Sequence, residues 1–323
     1  MIVIIGAGWY GLHLAVELKK RGIPYIVYEK SDRLFSGASY KNQNRLHQGF
    51  HYPRSFETRM QSKTGFEKFV QEYGFLTNEI NSNIYAIPYE SNIDFKTCLQ
   101  IFESSGLSFD IVNLAALPDI IFEGAFKVSE RFICPILARR YFESLKLNIR
   151  YNSLVSMSDQ KLLMEGKKID YDILFDCSYG SMITNDSFFE EFFLTHIVKL
   201  DPSTEFDALT VIDGKFFSIY PFTDGRHTIT HVKLGIIDKS FDLGASERLY
   251  NETVADMENF VPGIRRKLTL LGSYVSRKYK AHSKSDFRGT KIISNSNNIY
   301  SVIGGKIDTI FEIDEFIESI DLK

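Results

Sequence analysis

The stretch MIVIIGAGWYGLHLAVELKKRGIPYIVYE, from Met1 to Glu29, decides the fold of this chain. It opens with a short apolar run, residues 1–5, of the kind that forms a buried parallel strand. After a glycine-rich turn, apolar residues recur at helical spacing until Gly22 and Pro24 end the helix. A second apolar strand follows at residues 25–28. The stretch therefore predicts a strand, a turn, a helix and a second strand in direct succession.

The turn carries the motif Gly6-Ala-Gly8-Trp-Tyr-Gly11, and the second strand closes on Glu29. In a dinucleotide-binding βαβ unit the first glycine permits the tight turn, the second lets a pyrophosphate approach bare backbone, and the third allows close helix packing. The helix N-terminus offers unpaired N–H groups to the phosphates, and the acid accepts hydrogen bonds from ribose hydroxyls. Because all these parts stand in register, we interpret the stretch as a dinucleotide site, with NAD or FAD left open.

Composition restricts the function further. The chain has 323 residues, enough for one large or two moderate domains, and 44% of them are hydrophobic, as in an ordinary globular protein. A formal net charge of −3 gives no electrostatic basis for binding nucleic acid or an anionic membrane. No apolar run approaches membrane-spanning length, and a strand that starts at residue 2 leaves no room for a signal peptide.

Cysteine and histidine spacing gives no sign of a disulfide framework or a metal site. Cys98, Cys134 and Cys177 lack paired or CxxC spacing. His227 and His231 lie on a predicted strand without Asp or Cys at ligand spacing, so no metal is expected. A reducing cytoplasm is the expected location.

The rest of the chain divides into a continuation of the α/β pattern and an insertion. Residues 31–54 are polar and rich in turn formers, which inside a compact domain usually marks a functional loop. Residues 194–234 have the pattern of successive short strands with tight turns, which predicts a separate antiparallel sheet. The chain then returns to an apolar strand, Ile299–Ile303, a Gly304-Gly305-Lys306 junction and a last helix at 310–320.

This return of the C-terminus favours FAD over NAD. An NAD-binding domain has no need of the chain's last residues, whereas the flavin ring lies far from the adenine and is often closed over by a C-terminal strand-to-helix junction. Reduction places negative charge on one edge of the flavin, which N–H groups at a helix N-terminus stabilise. We therefore predict an α/β fold: a Rossmann-like FAD-binding domain (1–78, 125–182 and 285–323) with an inserted α+β, antiparallel-sheet substrate domain (79–124 and 183–284).

Four separated segments resemble the FAD-dependent oxidoreductases of the D-amino-acid oxidase superfamily, in the branch with glycerol-3-phosphate and L-2-hydroxyglutarate dehydrogenases. The fingerprint with Glu29 is similar to that family's ADP-binding motif, and Gly37-Ala-Ser39 to its small-residue pyrophosphate turn. The run Leu46-His-Gln-Gly-Phe-His-Tyr-Pro53 resembles the His-x-Gly-x-x-Tyr segment placed beside the flavin ring. Gly304-Gly-Lys-Ile-Asp-Thr309 resembles the C-terminal flavin segment.

Weaker matches are Val155, Asp176 to Gly180, and Tyr220-Pro221 with Gly225-Arg226. The resemblance implies non-covalent FAD and a set of cofactor-binding residues in and next to the matching segments. The implied set is Gly6, Gly8, Trp9, Tyr10, Gly11, Glu29, Lys30, Ala38, Ser39, Arg45, Leu46, His47, Val155, Ser178, Gly180, Gly305, Lys306, Ile307, Asp308 and Thr309. The sequence departs from the family at Val275-Ser-Arg277-Lys, where Gly-x-Arg-Pro is usual, and at Cys177-Ser-Tyr-Gly180. These departures indicate a divergent member.

The expected chemistry is transfer of a hydride from a CH–OH or CH–NH group of a small polar, anionic metabolite to flavin. His47 is a candidate base, or a residue that orients the flavin loop, and His51 and Tyr52 are alternative donors. Arg277 and Arg226 are candidates for binding a carboxylate or phosphate, with Arg45 as a third choice.

Two other classes stay open on the sequence alone. One is a flavin sugar mutase similar to UDP-galactopyranose mutase. Residues Gly305–Ile313 of this chain also resemble the C-terminal flavin segment of that enzyme. The other is an NAD-binding protein without flavin. The electron acceptor is not indicated by the sequence.

Overall fold

The computed structural model describes residues 1–116, 121–158, 161–183, 186–282, 289–296 and 298–322. These residues divide into two compact units. Unit 1 comprises Met1–Tyr40, Pro135–Glu190 and Tyr279–Lys323, and unit 2 comprises Lys41–Cys134 and Glu191–Lys278. The chain therefore passes between the units several times.

The strands, numbered in chain order, are β1 Ile2–Ile5, β2 Tyr25–Tyr28, β3 Arg45–Leu46, β4 Thr77–Glu79, β5 Asn83–Ile87, β6 Asp110–Ile111, β7 Gly124–Lys127, β8 Arg131–Ile133, β9 Ile149–Arg150, β10 Val155–Ser158, β11 Lys161–Met164, β12 Lys167–Ile169, β13 Ile173–Asp176, β14 Phe188–Leu200, β15 Ala208–Val211, β16 Phe217–Pro221, β17 His227–His231, β18 Ile236–Ile237, β19 Leu268–Ala281, β20 Lys291–Ser296 and β21 Ile299–Ile303. The α-helices are α1 Trp9–Lys20, α2 Ala38–Lys41, α3 Phe56–Tyr73, α4 Phe95–Ser104, α5 Pro135–Ser144, α6 Ser246–Glu258 and α7 Glu312–Ser319. Short 3₁₀ helices lie at Gly74–Leu76, Leu114–Ala116, Thr223–Gly225, Leu243–Ala245, Ile264–Lys267 and Ile307–Thr309.

Unit 1 is built on a sheet in which the described strands have the order β20-β21-β13-β1-β2-β9. β1 lies between β13 and β2, and both neighbours run parallel to it, with Ile5 opposite Asp176 on one side and Tyr28 on the other. All four residues of β1 are buried, as a parallel strand covered on both faces requires. The carboxyl ends of the central strands therefore meet at one edge, next to the glycine turn.

An antiparallel meander of β10, β11 and β12 follows β9. The sequence predicts a single strand from Ile149 to Met157, and this prediction is wrong. Two strands in different sheets replace it, β9 beside β2 and β10 beside β11. The chain turns between them at Asn152, whose φ of 51° is left-handed. Asparagine tolerates that conformation better than most residues, so the break is local.

Unit 2 holds a second sheet whose described strands have the order β18-β14-β17-β16-β15-β5-β7-β6, with β19 paired to β14. Its pairs are antiparallel except for β15 beside β5. Helix α6 contributes Val254 and Met257 to a core with the sheet residues Ile219 and Ile229. On α4, Phe102 packs with Phe50 and Phe126 in a second core. The predicted α/β class, with a mainly antiparallel sheet in the second unit, is confirmed.

The units differ from the predicted domain boundaries. Residues 41–78 and 125–134, predicted to lie in the cofactor domain, belong to unit 2. The reason is local pairing, because β3 and β4 both pair with β8 in a small sheet. Residues 186–190 and 279–282, which are predicted to lie in the substrate domain, belong to unit 1. The predicted boundary between 284 and 285 lies outside the described residues.

Candidate functional site

The glycine turn of unit 1 has the shape that the motif predicts. Gly6 has a φ of 100°, a conformation that favours glycine, and a Cβ on it would lie 2.8 Å from the Cys177 carbonyl oxygen. A Cβ on Gly11 would lie 2.0 Å from the Gly6 carbonyl oxygen. A Cβ on Gly8 would lie 2.8 Å from Ser39 Oγ. The turn therefore presents bare backbone at the start of α1.

The first turn of α1 is open to an anion. Gly8 is the N-cap and has no side chain that could cap the helix, and the first turn holds no acidic residue. The Trp9 N–H donates a hydrogen bond of 3.1 Å to Ser39 Oγ, which connects the turn to the short helix α2. The Trp9 ring is buried against Phe35 and Phe142. Trp9 thus faces the core with its side chain, and its backbone N–H already donates to Ser39 Oγ.

Glu29 ends β2 beside the turn and is 5% exposed. Its Oε2 accepts a hydrogen bond of 2.8 Å from the Ala7 N–H, and its Oε1 accepts one of 2.9 Å from the Ser31 N–H. The Ser153 N–H donates to the Glu29 carbonyl oxygen at 2.9 Å, which brings the segment before Val155 next to the acid. Lys30 is exposed. The carboxylate is therefore fixed in orientation at the end of the strand.

The segment after β13 packs on the same turn. The Cys177 N–H donates to the Ile5 carbonyl oxygen at 2.9 Å. Ser178 Oγ accepts hydrogen bonds from the Ser181 and Met182 N–H groups, so its hydroxyl is held by its own loop. Gly180 has a φ of 69°, and a Cβ there would lie 2.4 Å from the Tyr279 ring.

The C-terminal junction contacts the first turn of α1 through Tyr10. Its hydroxyl donates to the Lys306 carbonyl oxygen and lies 2.7 Å from Thr290 Oγ1. A Cβ on Gly304 would lie 2.1 Å from the Tyr10 ring. Burial raises the pKa of the Tyr10 hydroxyl, so it stays neutral and can donate. The first turn of α1 and the C-terminal junction therefore pack directly against each other in unit 1.

Asp308 adds an unusual buried acid to this junction. It is 1% exposed, and neither carboxylate oxygen makes a hydrogen bond within the described residues. The Lys306 ammonium lies 3.8 Å from Oδ2. A buried carboxylate without hydrogen bonds favours a ligand that donates them, and sugar-alcohol hydroxyls do so. The bare turn, the uncapped helix and this acceptor are the donor and acceptor set that a dinucleotide with a ribityl chain requires.

The predicted flavin-side loop lies in unit 2, where β3 leads into His47. The His47 Nδ1 atom is buried and lies 3.5 Å from Oε2 of Glu130, a residue with no exposed surface. Glu130 also accepts hydrogen bonds from the Tyr85 hydroxyl at 2.7 Å and the Gln48 N–H at 2.8 Å. Burial alone would raise the pKa of Glu130, but His47 and these hydrogen bonds lower it, so the acid is ionised at neutral pH.

The alternative donors lie next to His47. The His51 ring centroid is 5.5 Å from that of His47, and the Tyr52 ring centroid is 6.0 Å away. All three rings therefore belong to one cluster, and Gly49 between them packs against the Arg59 backbone of α3.

Arg45, two residues before His47, is 8% exposed. Its Nη1 donates to Thr210 Oγ1 at 2.6 Å, while Nε and Nη2 donate to Gln43 Oε1 at 3.1 and 2.8 Å. The guanidinium carbon lies 4.1 Å from the Tyr220 ring centroid. Within the described residues, no carboxylate oxygen lies within 4.0 Å of its nitrogens.

The two arginines predicted as anchors have different surroundings. Arg226 is 34% exposed, and its Nη2 lies 2.9 Å from Asp224 Oδ2 in its own loop. It also donates to the Thr223 carbonyl oxygen at 3.0 Å. Arg277 is partly buried on β19 and has interactions of its own. Arg226 therefore already has an anionic partner.

Sequence reasoning missed Glu130 and Thr290. Glu130 stands just before β8 in a Ser-Glu-Arg run whose composition is typical of a solvated turn. Thr290 stands just before β20, a strand that the sequence pattern does not predict. No spacing rule connects either residue to the motif it contacts.

None of the helices in the described residues combines the length and apolarity needed to cross a membrane. No group of three or more His, Cys, Asp or Glu side chains in that part of the chain could hold a metal ion.

Comparison with known proteins gives the same cofactor. The family model described as FAD dependent oxidoreductase matches residues 1–90. The chain is 32% identical to the FAD-dependent monooxygenase FPY4 of Fusarium mangiferae over 98% of this chain and 90% of that protein. It is also 43% identical to the FAD-dependent monooxygenase kojA of Aspergillus flavus, over 26% of this chain and 19% of that protein.

Solved structures share the fold at low identity. Glycine oxidase from Geobacillus kaustophilus superposes with a TM-score of 0.72 at 14% identity, covering 99% of this chain and 95% of the oxidase. FAD-bound L-alpha-glycerophosphate oxidase from Mycoplasma pneumoniae has a TM-score of 0.72 at 16% identity, covering 97% of this chain and 92% of that one.

Proposed function

Because this chain belongs to the family of FAD-dependent oxidoreductases, we propose that it oxidises a CH–OH or CH–NH group of a small polar, anionic metabolite. The observation that carries the proposal is Arg45, a buried cation with no carboxylate partner within the described residues, two positions before His47. Placement in the branch of glycerol-3-phosphate and L-2-hydroxyglutarate dehydrogenases stays a prediction, as does the cytoplasmic location.

Unit 1 is proposed to hold the cofactor. Gly8 and the N–H groups that begin α1 would bind the pyrophosphate, Glu29 the adenosine ribose, and Asp308 a hydroxyl of the ribityl chain. Bound FAD supplies the acceptor for a hydride. Nothing in the sequence marks a covalent link, so the attachment is proposed to be non-covalent.

Heat denaturation of freshly purified protein tests the attachment. We expect all the flavin absorbance in the supernatant and none on the precipitated chain, because the proposed contacts are hydrogen bonds and backbone dipoles. Flavin that stays on the washed precipitate would mean a covalent bond, and colourless fresh protein would contradict the cofactor assignment.

Arg45 is proposed as the substrate anchor. A guanidinium carries five N–H donors, and the contacts to Gln43 and Thr210 use three of them, which leaves two for a ligand. Burying a charge among neutral partners costs free energy that an anionic ligand offsets. A fork of N–H groups matches carboxylate and phosphate in geometry. Arg277 is the second candidate, ahead of Arg226.

His47 is proposed to take the proton that the substrate group loses. The leaving proton needs an acceptor with a lone pair, and the His47 Nε2 atom makes no hydrogen bond within the described residues. Tyr52, whose ring lies beside that of His47, is proposed as a hydrogen-bond donor to the substrate in this cluster. The orientation of the reacting carbon then depends on the anionic group of the substrate that Arg45 binds.

An Arg45→Lys variant tests the anchor. Lysine keeps the charge and loses the fork, so we expect substrate affinity to fall about tenfold, or about 1.4 kcal/mol, with FAD content unchanged. Candidate 2-hydroxy acids, amino acids and phosphorylated alcohols are first screened for anaerobic bleaching of the flavin, and the Kd is taken from the concentration dependence of the bleaching rate.

Arg226→Lys is the matched control, because that arginine already pairs with Asp224 near the surface. Its substrate affinity should stay within about twofold of the wild type, as for an exposed ion pair. Equal affinities in Arg45→Lys and wild type, with a loss in Arg226→Lys, would move the anchor to Arg226.

The names of the similar fungal proteins favour monooxygenation as a second candidate function. A monooxygenase consumes a nicotinamide donor and O₂, and one oxygen atom enters the product while the other leaves as water. Anaerobic bleaching by the substrate alone supports our proposal, whereas bleaching only by NADH or NADPH and ¹⁸O in the product support monooxygenation. A sugar mutase, the alternative drawn from the sequence, would show no bleaching by the substrate alone and no ¹⁸O in the product.

A further inference from the structure

The buried acid next to His47 is a feature that neither the motif nor the family assignment explains. Glu130 has no exposed surface, and its carboxylate has three polar neighbours: the Gln48 N–H, the Tyr85 hydroxyl and His47 Nδ1. A fully buried carboxylate that stays ionised requires donors, since burial opposes the charge. Two of these neighbours can only donate to it, because the Tyr85 hydroxyl is held neutral by a pKa raised well above its usual value.

The third neighbour, His47, can present either ring nitrogen with a proton. Nδ1 is buried and has no other polar partner within the described residues, so a proton on Nδ1 is the arrangement that satisfies both the ring and the acid. The opposite tautomer would place a lone pair of Nδ1 against an ionised oxygen at 3.5 Å. That arrangement is repulsive in a buried site.

We propose that Glu130 is a positioning residue that keeps the proton of neutral His47 on Nδ1 and leaves Nε2 as the basic atom. When Nε2 takes a proton, the carboxylate faces the imidazolium that forms and balances its charge. In the part of the chain that the structure describes, the His51 and Tyr52 rings also lie beside His47, and Arg45 lies two residues before it on β3. None of these three residues is an acid, so among these neighbours Glu130 is the anionic group that determines the tautomer.

The proton placement follows from contacts inside unit 2 and needs no cofactor. The use of Nε2 as a base rests on the proposed function. The two parts can therefore be tested separately, first by spectroscopy and then by kinetics.

Glu130→Gln is the informative change, because it keeps the shape of the side chain and removes one acceptor. The amide nitrogen cannot replace Oε1, where it would meet the Gln48 N–H, another donor. It must replace Oε2, where it donates toward His47 Nδ1, while the Tyr85 hydroxyl can rotate to accept. The variant should therefore reverse the tautomer and place the ring proton on Nε2.

The measurement is the ¹⁵N spectrum of the holoprotein labelled in its seven histidines, with the His47 signals identified by their loss in His47→Asn. We expect a protonated Nδ1 in wild type and a protonated Nε2 in Glu130→Gln. Tyr85→Phe is the matched control, because it removes a hydrogen bond to Glu130 and keeps the carboxylate, so Nδ1 should stay protonated. A protonated Nε2 in wild type, or one tautomer in both wild type and Glu130→Gln, would overturn the proposal.

Kinetics then separates positioning from structure. With a substrate that bleaches the flavin, Glu130→Gln should slow the anaerobic reduction at least about tenfold at unchanged FAD content, since general-base catalysis contributes at least that much. Tyr85→Phe should stay within about threefold. A reversed tautomer together with a wild-type rate would leave the proton placement standing and remove His47 as the base, which is a failure of the proposed function alone.

Discussion

A Gly8→Val protein is expected to be isolated without FAD, with an affinity for the cofactor at least about 100-fold below wild type, or about 2.7 kcal/mol. The backbone at Gly8 is extended, with φ −88° and ψ −175°, which is a conformation that valine adopts readily. The obstacle is volume, because the side chain would occupy the space above the uncapped start of α1 and would lie 2.8 Å from Ser39 Oγ. Phosphate could then no longer reach the backbone N–H groups.

Two controls separate loss of the cofactor from damage to the fold. In Gly8→Val/Ser39→Gly the contact with Ser39 Oγ disappears while the approach to the helix stays blocked, so FAD binding should remain lost. Gly74→Ala places a Cβ at 3.5 Å from Val70, an ordinary contact, and should bind FAD like wild type. FAD titration followed by flavin fluorescence gives the affinities. Full occupancy of Gly8→Val would show that the pyrophosphate does not bind at this turn.

Two strands are predicted to the residue because their sequences are short apolar runs bounded by turn formers. These are Tyr25–Tyr28 and Ile299–Ile303. Helix α4 was missed, although Asp94 caps it and its Cys98 and Phe102 are buried one turn apart. The helix is only 10 residues long and lies among short strands, so the helical spacing of its apolar residues does not distinguish it from its neighbours. A short amphipathic helix is therefore harder to predict from the sequence than a long one.

The candidate site likewise has parts that the sequence predicts and parts that it does not. The glycine turn and Glu29 are local in sequence, so spacing and residue type predict their arrangement. The pairing of His47 with Glu130 and of Tyr10 with Thr290 joins residues from distant segments, the second pair 280 positions apart. Only the folded chain brings such partners together, and a single sequence carries no signal for them. The ranking of the arginines depends on burial and on Asp224, which are also properties of the fold.

The second large expected effect is a loss of folding stability when Gly304, in the C-terminal junction that contacts Tyr10, is replaced by alanine. In Gly304→Ala the new Cβ would lie 2.1 Å from the Tyr10 ring, so the ring must leave its place. It would then lose its packing and its hydrogen bonds to the Lys306 carbonyl oxygen and Thr290. Overpacking and the loss of buried hydrogen bonds together should cost about 3 kcal/mol of folding free energy. We expect a lower thermal midpoint, and weaker FAD binding because Asp308 lies in the same segment.

A double-mutant cycle shows whether the cost arises at this contact. Tyr10→Phe keeps the ring and removes the hydroxyl, so it should lose only about 1 kcal/mol. In a Tyr10→Ala background the space for a Cβ on residue 304 is free, and Gly304→Ala should then change the thermal midpoint little. An equal cost of Gly304→Ala in both backgrounds would contradict the contact. If instead the cost disappears while FAD binding stays weak, the C-terminal segment acts on the cofactor directly, through Asp308 and the Lys306 region, in addition to supporting the first turn of α1.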